Sequence, residues 1–547
     1  MGKKYKILLV SMLFALTFVA TYYIKNIEKN NDNDQVVNIL HDFTSVNDML
    51  EYSKNDNVVY ALGIANERRQ SINILNYNDL RQYNDIRQII IHDAEQRISE
   101  IFGREHTILR LRWFLSPLNN VNASTQALSI EQVKYDINVL DLLLRAFYGM
   151  HMYFGGVEAF EGIFNAMIYD LLEQEEWCRE KFINLIHRHL SKLIIDNHFL
   201  INNRHLGWNI PGAQQGGMYR FFVSDVQFGR NEDGFYFKES GINIIDVNGY
   251  NMDSLFRLNI NEYGELFYSP IIYFMQTEYL PVKYVLYLTD YDNNKIEVTL
   301  SEFNAAYRFE RNRDTRNLRN VVSAELINDI PVIRMMRMGY PTIEEEFNNL
   351  LHTAYTLRNH PVVIIDIRSN QGGNGILPAQ FMYHLTGEII PTNSMSLISD
   401  DYNTSFAIWG SNYNDGRITQ EDLIRFSPAY SFGTYCFVMN YTPREVIEND
   451  RLFVFLIDRF TVSASELLVD IALNLENTLI VGQNTAGALV GSNGYRFYLP
   501  NSNTALNFGT VVTYFPEGIF KEGVGFAPDI WATGDALTAA LALIGRR

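Results

Sequence analysis

The sequence predicts a multi-domain α/β protein, and three observations carry that prediction. The chain has 547 residues, more than one hydrophobic core organises, so about two to four domains are expected. Its texture changes twice, from helical spacing to short β-runs and then to strands alternating with helices. The alternating order, from about residue 321 onward, is that of βαβ units in a mainly parallel sheet with helices packed on it. A hydrophobic fraction of 47% with 20% charged residues places the chain among ordinary globular proteins.

Residues 1–34 read as a targeting segment and a linker. Lys3, Lys4 and Lys6 precede "ILLVSMLFALTFVATYYI", the uncharged run Ile7–Ile24, which Lys25 closes. A basic start followed by such a run is an export signal or a membrane anchor. Its length suffices to span a bilayer and no clear small-x-small cleavage site is present, which favours an anchor. Either way the rest of the chain is extracytoplasmic. "KNNDND" at 29–34 then reads as a solvated linker.

Residues 35–208 have helical spacing. "IEQVKYDINVLDLLLRAFYGMHMYF" and "FEGIFNAMIYDLLEQEEWCREKFINLIHRHLSKLIIDNHFLI" each read as a long amphipathic segment, the second ending at Asn197-His198. Residues 209–315 are β-rich. "FYFKESGINIIDVNGYNMDSLFRL" gives two short β-runs turning at Asn248-Gly249 into a helix, and "VKYVLYLTDYDNNKIEVTL" a hairpin turning at Asp292-Asn293-Asn294. Residues 316–547 form the α/β part, with strands in "IPVIRMM", "PVVIIDIR", "RLFVFLID" and "TLIVG" and helices in "GILPAQFMYHLTG" and "SASELLVDIALNL".

Composition excludes several functions. A net charge of −18 opposes nucleic-acid binding, because the phosphates would be repelled. Cys178 and Cys436 have no C-x-x-C spacing and read as buried small hydrophobes. His187, His189 and His205 crowd one stretch, but H-R-H completes no zinc spacing and no H-E-x-x-H occurs. No metal and no cofactor is predicted.

Two loops lie where α/β sheets concentrate chemistry, at the carboxyl ends of strands. In "IIDIRSNQGGNGILPAQ", Gly372, Gly373 and Gly375 follow a buried strand. Pro378 spoils a dinucleotide fingerprint, and no G-K-[ST] makes a P-loop. The stretch is either a strand-to-helix turn needing positive φ or a backbone whose N–H groups face a developing oxyanion. In "FTVSASELLVDIAL", Ser463 and Glu466 have capping-box spacing before an apolar helix. Ser463 is either that cap or a nucleophile at the positive end of the helix dipole.

"VVIIDIRSNQGG", "VFLIDRFTVSASE", "LIVGQNTAG" and "EGVGFAPDI" occur in this order. Together they resemble the successive motifs of the tail-specific, or C-terminal processing, serine protease family, which includes tricorn-type proteases. The resemblance implies a peptidase core of crotonase-like type over 316–547, with Ser463 as nucleophile. The N–H of Ala464, with that of Gly372 or Gly373, would form the oxyanion hole. The Ser/Lys branch has a lysine after the T-x-G motif; here that position is Ala488, and no lysine occurs between Ser463 and Lys521. The tricorn-like branch uses a histidine and a glutamate instead. "LSKLIIDNHFLI" resembles the family's L-x-D-G-H-T segment, which puts the base at His198. "KEGVGFAPDI" puts the glutamate at Glu522. "GINIIDVNG" resembles a PDZ strand and turn, so 209–315 would be a small PDZ-like domain behind the helical one, although its carboxylate-binding loop is not recognisable.

The implied activity is an exported or membrane-anchored serine endopeptidase acting on peptides or proteins through a Ser463 acyl-enzyme. The competing reading is a non-catalytic relative that binds peptide or a protein partner in the same cleft.

Overall fold

The computed structural model describes residues 55–545 apart from 74, 76–85, 88, 95, 99, 101–126, 174–175, 207–218, 276–282, 304–321, 339–343 and 399–445. These residues belong to the unit Asp48–Arg547. The expected anchor at 7–24 and Cys436 lie outside the described residues. Among the described residues no helix is long and apolar enough to cross a membrane.

A mixed sheet of 14 strands dominates the described residues. Its parallel part runs Ile330–Met335, Val362–Asp366, Leu452–Ile457, Thr478–Gly482, Ile530–Ala532 and Phe256–Ile260. Every residue of Val362–Asp366, Leu452–Ile457 and Thr478–Gly482 is buried. That is why these strands read as unbroken apolar runs: both faces are covered. Helices Ile376–Thr386 and Ala464–Ala472 are the crossovers the alternation predicts.

The β-rich segment is antiparallel and continuous with this sheet, since Trp531 pairs with Asn259. The expected hairpin is present, Lys283–Asp290 against Lys295–Glu302. Asn248, at the predicted turn, has φ +37°.

The helical segment divides. Helix Asp56–Ser71 sends Val58, Ala61 and Ala65 into the core beneath the parallel sheet. Arg69, fully buried, pairs with Asp529 at 2.8 Å, and Arg68 pairs with the same carboxylate at 3.1 Å. The later helices, Ile130–Phe147, Gly156–Leu172 and Arg179–Leu190, pack instead on a second sheet built around Ala505–Tyr514. The second long segment expected from the sequence is broken. Helix Gly156–Leu172 carries no basic residue in its last turn, and Glu173, Glu175 and Glu176 follow it, which the helix dipole disfavours. The Trp177 indole donates to Leu171 O at 3.2 Å, and Trp177–Cys178 pairs with Ala127–Leu128. Cys178 is therefore half-exposed on a short strand rather than buried.

Candidate active site

Ser463 sits between the fully buried strand Leu452–Ile457 and helix Ala464–Ala472, with φ +59° and ψ −121°. A serine adopts this backbone at a cost of about 1–3 kcal/mol, and only where surrounding bonds impose it. Glu466 imposes it. Its buried carboxylate accepts from the N–H of Ser463 and of Ala488 at 2.8 Å each, from the N–H of Gly487 at 2.8 Å, and from the Thr485 hydroxyl at 2.6 Å. Glu466 of the expected S-x-x-E box thus also clamps the Ser463 loop to the Thr485–Ala488 loop. Burial raises the Glu466 pKa against the opposing effect of these four donors.

The glycine loop lies against this turn. A Cβ on Gly372, at φ +79°, would stand 2.8 Å from Ser463 Cβ and 2.9 Å from Ala464 N. Only a residue without a side chain admits that approach. The Gly372 N–H is already committed, donating to Asn370 Oδ1 at 2.9 Å. Gly373, at φ +148°, is exposed. Among the described residues its N–H and that of Ala464 have no hydrogen-bond partner. Asn370, fully buried, locks the two loops together, its carbonyl accepting from Val462 N at 2.9 Å and from the Ser465 hydroxyl at 2.8 Å.

His198 reaches this point from the second sheet. Its Nε2 lies 3.2 Å from Ser463 Oγ across 265 residues of sequence. The strand that follows it, Leu200–Ile201, pairs with Ala505–Tyr514 and fixes its approach. The side chain keeps 26% exposure, and the protein around it lowers its pKa below the usual imidazole value, more than the nearby Asp196 charge raises it. Asp196, fully buried, accepts from the backbone N–H of His198 at 2.7 Å through Oδ1 and from the Tyr148 hydroxyl at 2.9 Å through Oδ2. Sequence reasoning missed both partners. Asp196 was visible inside the histidine motif, whereas nothing in the chain marks Tyr148.

Glu522 is buried, with Oε2 accepting from Leu489 N at 3.2 Å and Val490 N at 3.0 Å. It makes no hydrogen bond to His198, and among the described residues its Oε1 has no partner. Burial, then the neighbouring Asp196 charge, pushes its pKa well above the usual carboxylate range. Ala488 is fully buried. His205 Nδ1 lies 2.9 Å from Asn197 O, and His189 pairs with Asp170. Among the described residues no cluster of side chains has the composition of a metal site.

Residues 329–532 match the family model for Peptidase family S41. That segment contains Ser463, Ala464, Gly372, Gly373 and Glu522; His198 lies outside it. No curated protein matches the chain. Among solved structures, mature CPAF is 12% identical, with a TM-score of 0.39, over 76% of this chain and 98% of that one. The photosystem II D1 C-terminal processing protease is 13% identical, with a TM-score of 0.34, over 76% of this chain and 97% of that one. The tricorn protease is 14% identical, with a TM-score of 0.27, over 76% of this chain and 36% of that one. Peptidase family S41 is a family of serine-type peptidases, and the match falls within the α/β segment.

Proposed function

From a segment that matches a serine-type peptidase family, we propose that the chain is an endopeptidase working through a Ser463 acyl-enzyme with His198 as general base. One observation carries the reading: an imidazole nitrogen 3.2 Å from the hydroxyl of a serine held at positive φ. His198 Nε2 takes the hydroxyl proton as Oγ attacks the scissile carbonyl carbon. The C–N bond then breaks, the amine leaves with that proton, and a water activated by His198 hydrolyses the ester. The N–H groups of Gly373 and Ala464 receive the oxyanion; Gly372 shapes the hole by its lack of a side chain, since its own N–H is occupied. Glu522 supports the site from the 489–490 backbone without touching the imidazole. The absence of the lysine at Ala488 is consistent with a histidine base.

The substrate class is peptide or protein, and the working location extracytoplasmic, tethered or released through residues 7–24. Treatment of the full-length chain with a fluorophosphonate probe tests the chemistry. Label should map to Ser463, and Ser463→Ala should take none. An unlabelled parent chain that still captures peptides would establish the non-catalytic binding protein instead. The location has a separate test: the protein should stay with membranes at high salt and leave only with detergent.

A further inference from the structure

We propose that Asp196, held by Tyr148, is the carboxylate that positions His198 and stabilises its protonated form. The inference rests on the assignment of His198 as base. A base that delivers Nε2 to a serine carries its own proton on Nδ1, and that N–H needs an acceptor to fix tautomer and ring orientation. His198 Nδ1 is buried, and among the described residues it has no hydrogen-bond partner. Asp196 Oδ1 stands 3.9 Å from it. Such contacts are commonly long in a resting enzyme and tighten when substrate is bound.

The surroundings of Asp196 fit that role. It is fully buried yet paired with no arginine or lysine among the described residues, and its donors are the backbone N–H of His198 and the Tyr148 hydroxyl. The first bond ties the carboxylate to the residue it orients. The second fixes the far oxygen from another element, the end of helix Ile130–Phe147. Tyr148 is pressed into place because Gly149 packs directly on strand Ala505–Tyr514, where a Cβ would stand 2.6 Å from Val511 C. Glu522 is the other carboxylate nearby, and its hydrogen bonds go to the 489–490 backbone. The helical segment therefore contributes directly to the base.

The charged and titratable groups facing the imidazole are Asp196, which raises its pKa, and His205, which lowers it; Glu522 faces Asp196 from the loop after Tyr514. The test measures the rate of fluorophosphonate labelling of the full-length chain against pH. Asp196→Asn should label about 10²–10⁴-fold more slowly, as when a positioning carboxylate is lost. Its acid limb should move to lower pH, because an anion that favours imidazolium is gone. Tyr148→Phe should retain most of the rate and move the limb the opposite way, since it removes a donor dipole aimed at that anion. Asp196→Glu should recover part of the lost rate. Asp196→Asn labelling at the parent rate with an unmoved limb overturns the proposal. If Asp196→Asn does not fold, Tyr148→Phe decides alone: an upward shift supports the proposal and an unmoved limb overturns it. Failure of the parent chain to label at Ser463 would instead remove the serine-peptidase reading on which the proposal rests.

Discussion

The two halves of the site are held by different means. The Ser463 half is built from two adjacent loops at the carboxyl ends of parallel strands, and backbone geometry does most of the positioning. Gly372, Asn370, Ser463 and Glu466 all lie within a few residues of strands Val362–Asp366 and Leu452–Ile457. The His198 half is assembled over long distances, from a two-residue strand, a tyrosine at a helix end and a strand some 300 residues later. Local geometry of the first kind survives most changes elsewhere. A group positioned like His198 depends on the packing of a whole second sheet. Activity should therefore be lost more readily than the fold of the α/β segment.

The largest expected effects lie at the two side chains proposed to react. Ser463→Ala and His198→Gln should each lower turnover by about 10⁴–10⁶-fold, with little change in substrate affinity, because both groups act in the transition state. The comparison adds that the double mutant should be scarcely worse than either single one, since nucleophile and base work as a unit. Additive losses in the double mutant would mean that His198 acts independently of Ser463.

Glu466 is where the Ser463 half should break. Glu466→Ala leaves three N–H groups, two of them buried, and the Thr485 hydroxyl without their acceptor, which should cost about 3–5 kcal/mol of stability. Urea denaturation followed by circular dichroism measures it. A loss under about 1 kcal/mol would show that the clamp is not what holds the Ser463 backbone. The reverse experiment is Ser463→Gly. Glycine relieves a strain of about 1–3 kcal/mol at φ +59° and costs about 0.5–1 kcal/mol in chain entropy. The variant should be inactive and at least as stable as the parent, a trade expected where strain serves chemistry.

This asymmetry also explains what the sequence disclosed. Strands and crossover helices of the α/β segment were legible because burial on both faces writes continuous apolar runs, and because Ser463, Gly372 and Gly373 stand beside them. His198 was legible only through its motif. Tyr148 and the separation of helices Gly156–Leu172 and Arg179–Leu190 were not, since a contact between residues 148 and 196 leaves no periodic trace. The continuity of the β-rich segment with the main sheet was equally silent, because the pairing of Trp531 with Asn259 is decided by packing and not by local pattern.

The pH dependence of activity sharpens the comparison further. His198 must be neutral to accept the serine proton, and its surroundings lower its pKa. The acid limb of kcat/KM should therefore have its midpoint below ~6.5, the ordinary imidazole value, and activity should persist through neutrality. The same shift affects stability. A folded state that disfavours the imidazolium is fully favoured above the unfolded value and weakens as pH falls toward the folded one. An activity midpoint above 7 would mean that the Asp196 charge outweighs the desolvation of the ring.

The smallest expected effect is at Glu522, and its sign is diagnostic. Burial and the Asp196 charge hold its pKa well above the carboxylate range in the folded chain. The folded state then binds a proton that the unfolded state releases above about 4.5, so this group's contribution is fully present below that pH and is lost as pH rises through the folded pKa. Glu522→Gln mimics the protonated acid and keeps an oxygen for the Leu489 and Val490 N–H groups. The variant should match the parent in Tm near pH 4.5 and exceed it increasingly at higher pH, with a loss of activity much smaller than that of Asp196→Asn. A Tm difference of the opposite sign at pH 8, or an activity loss equal to that of His198→Gln, would make Glu522 an ionised partner of the base and reverse the roles of the two carboxylates.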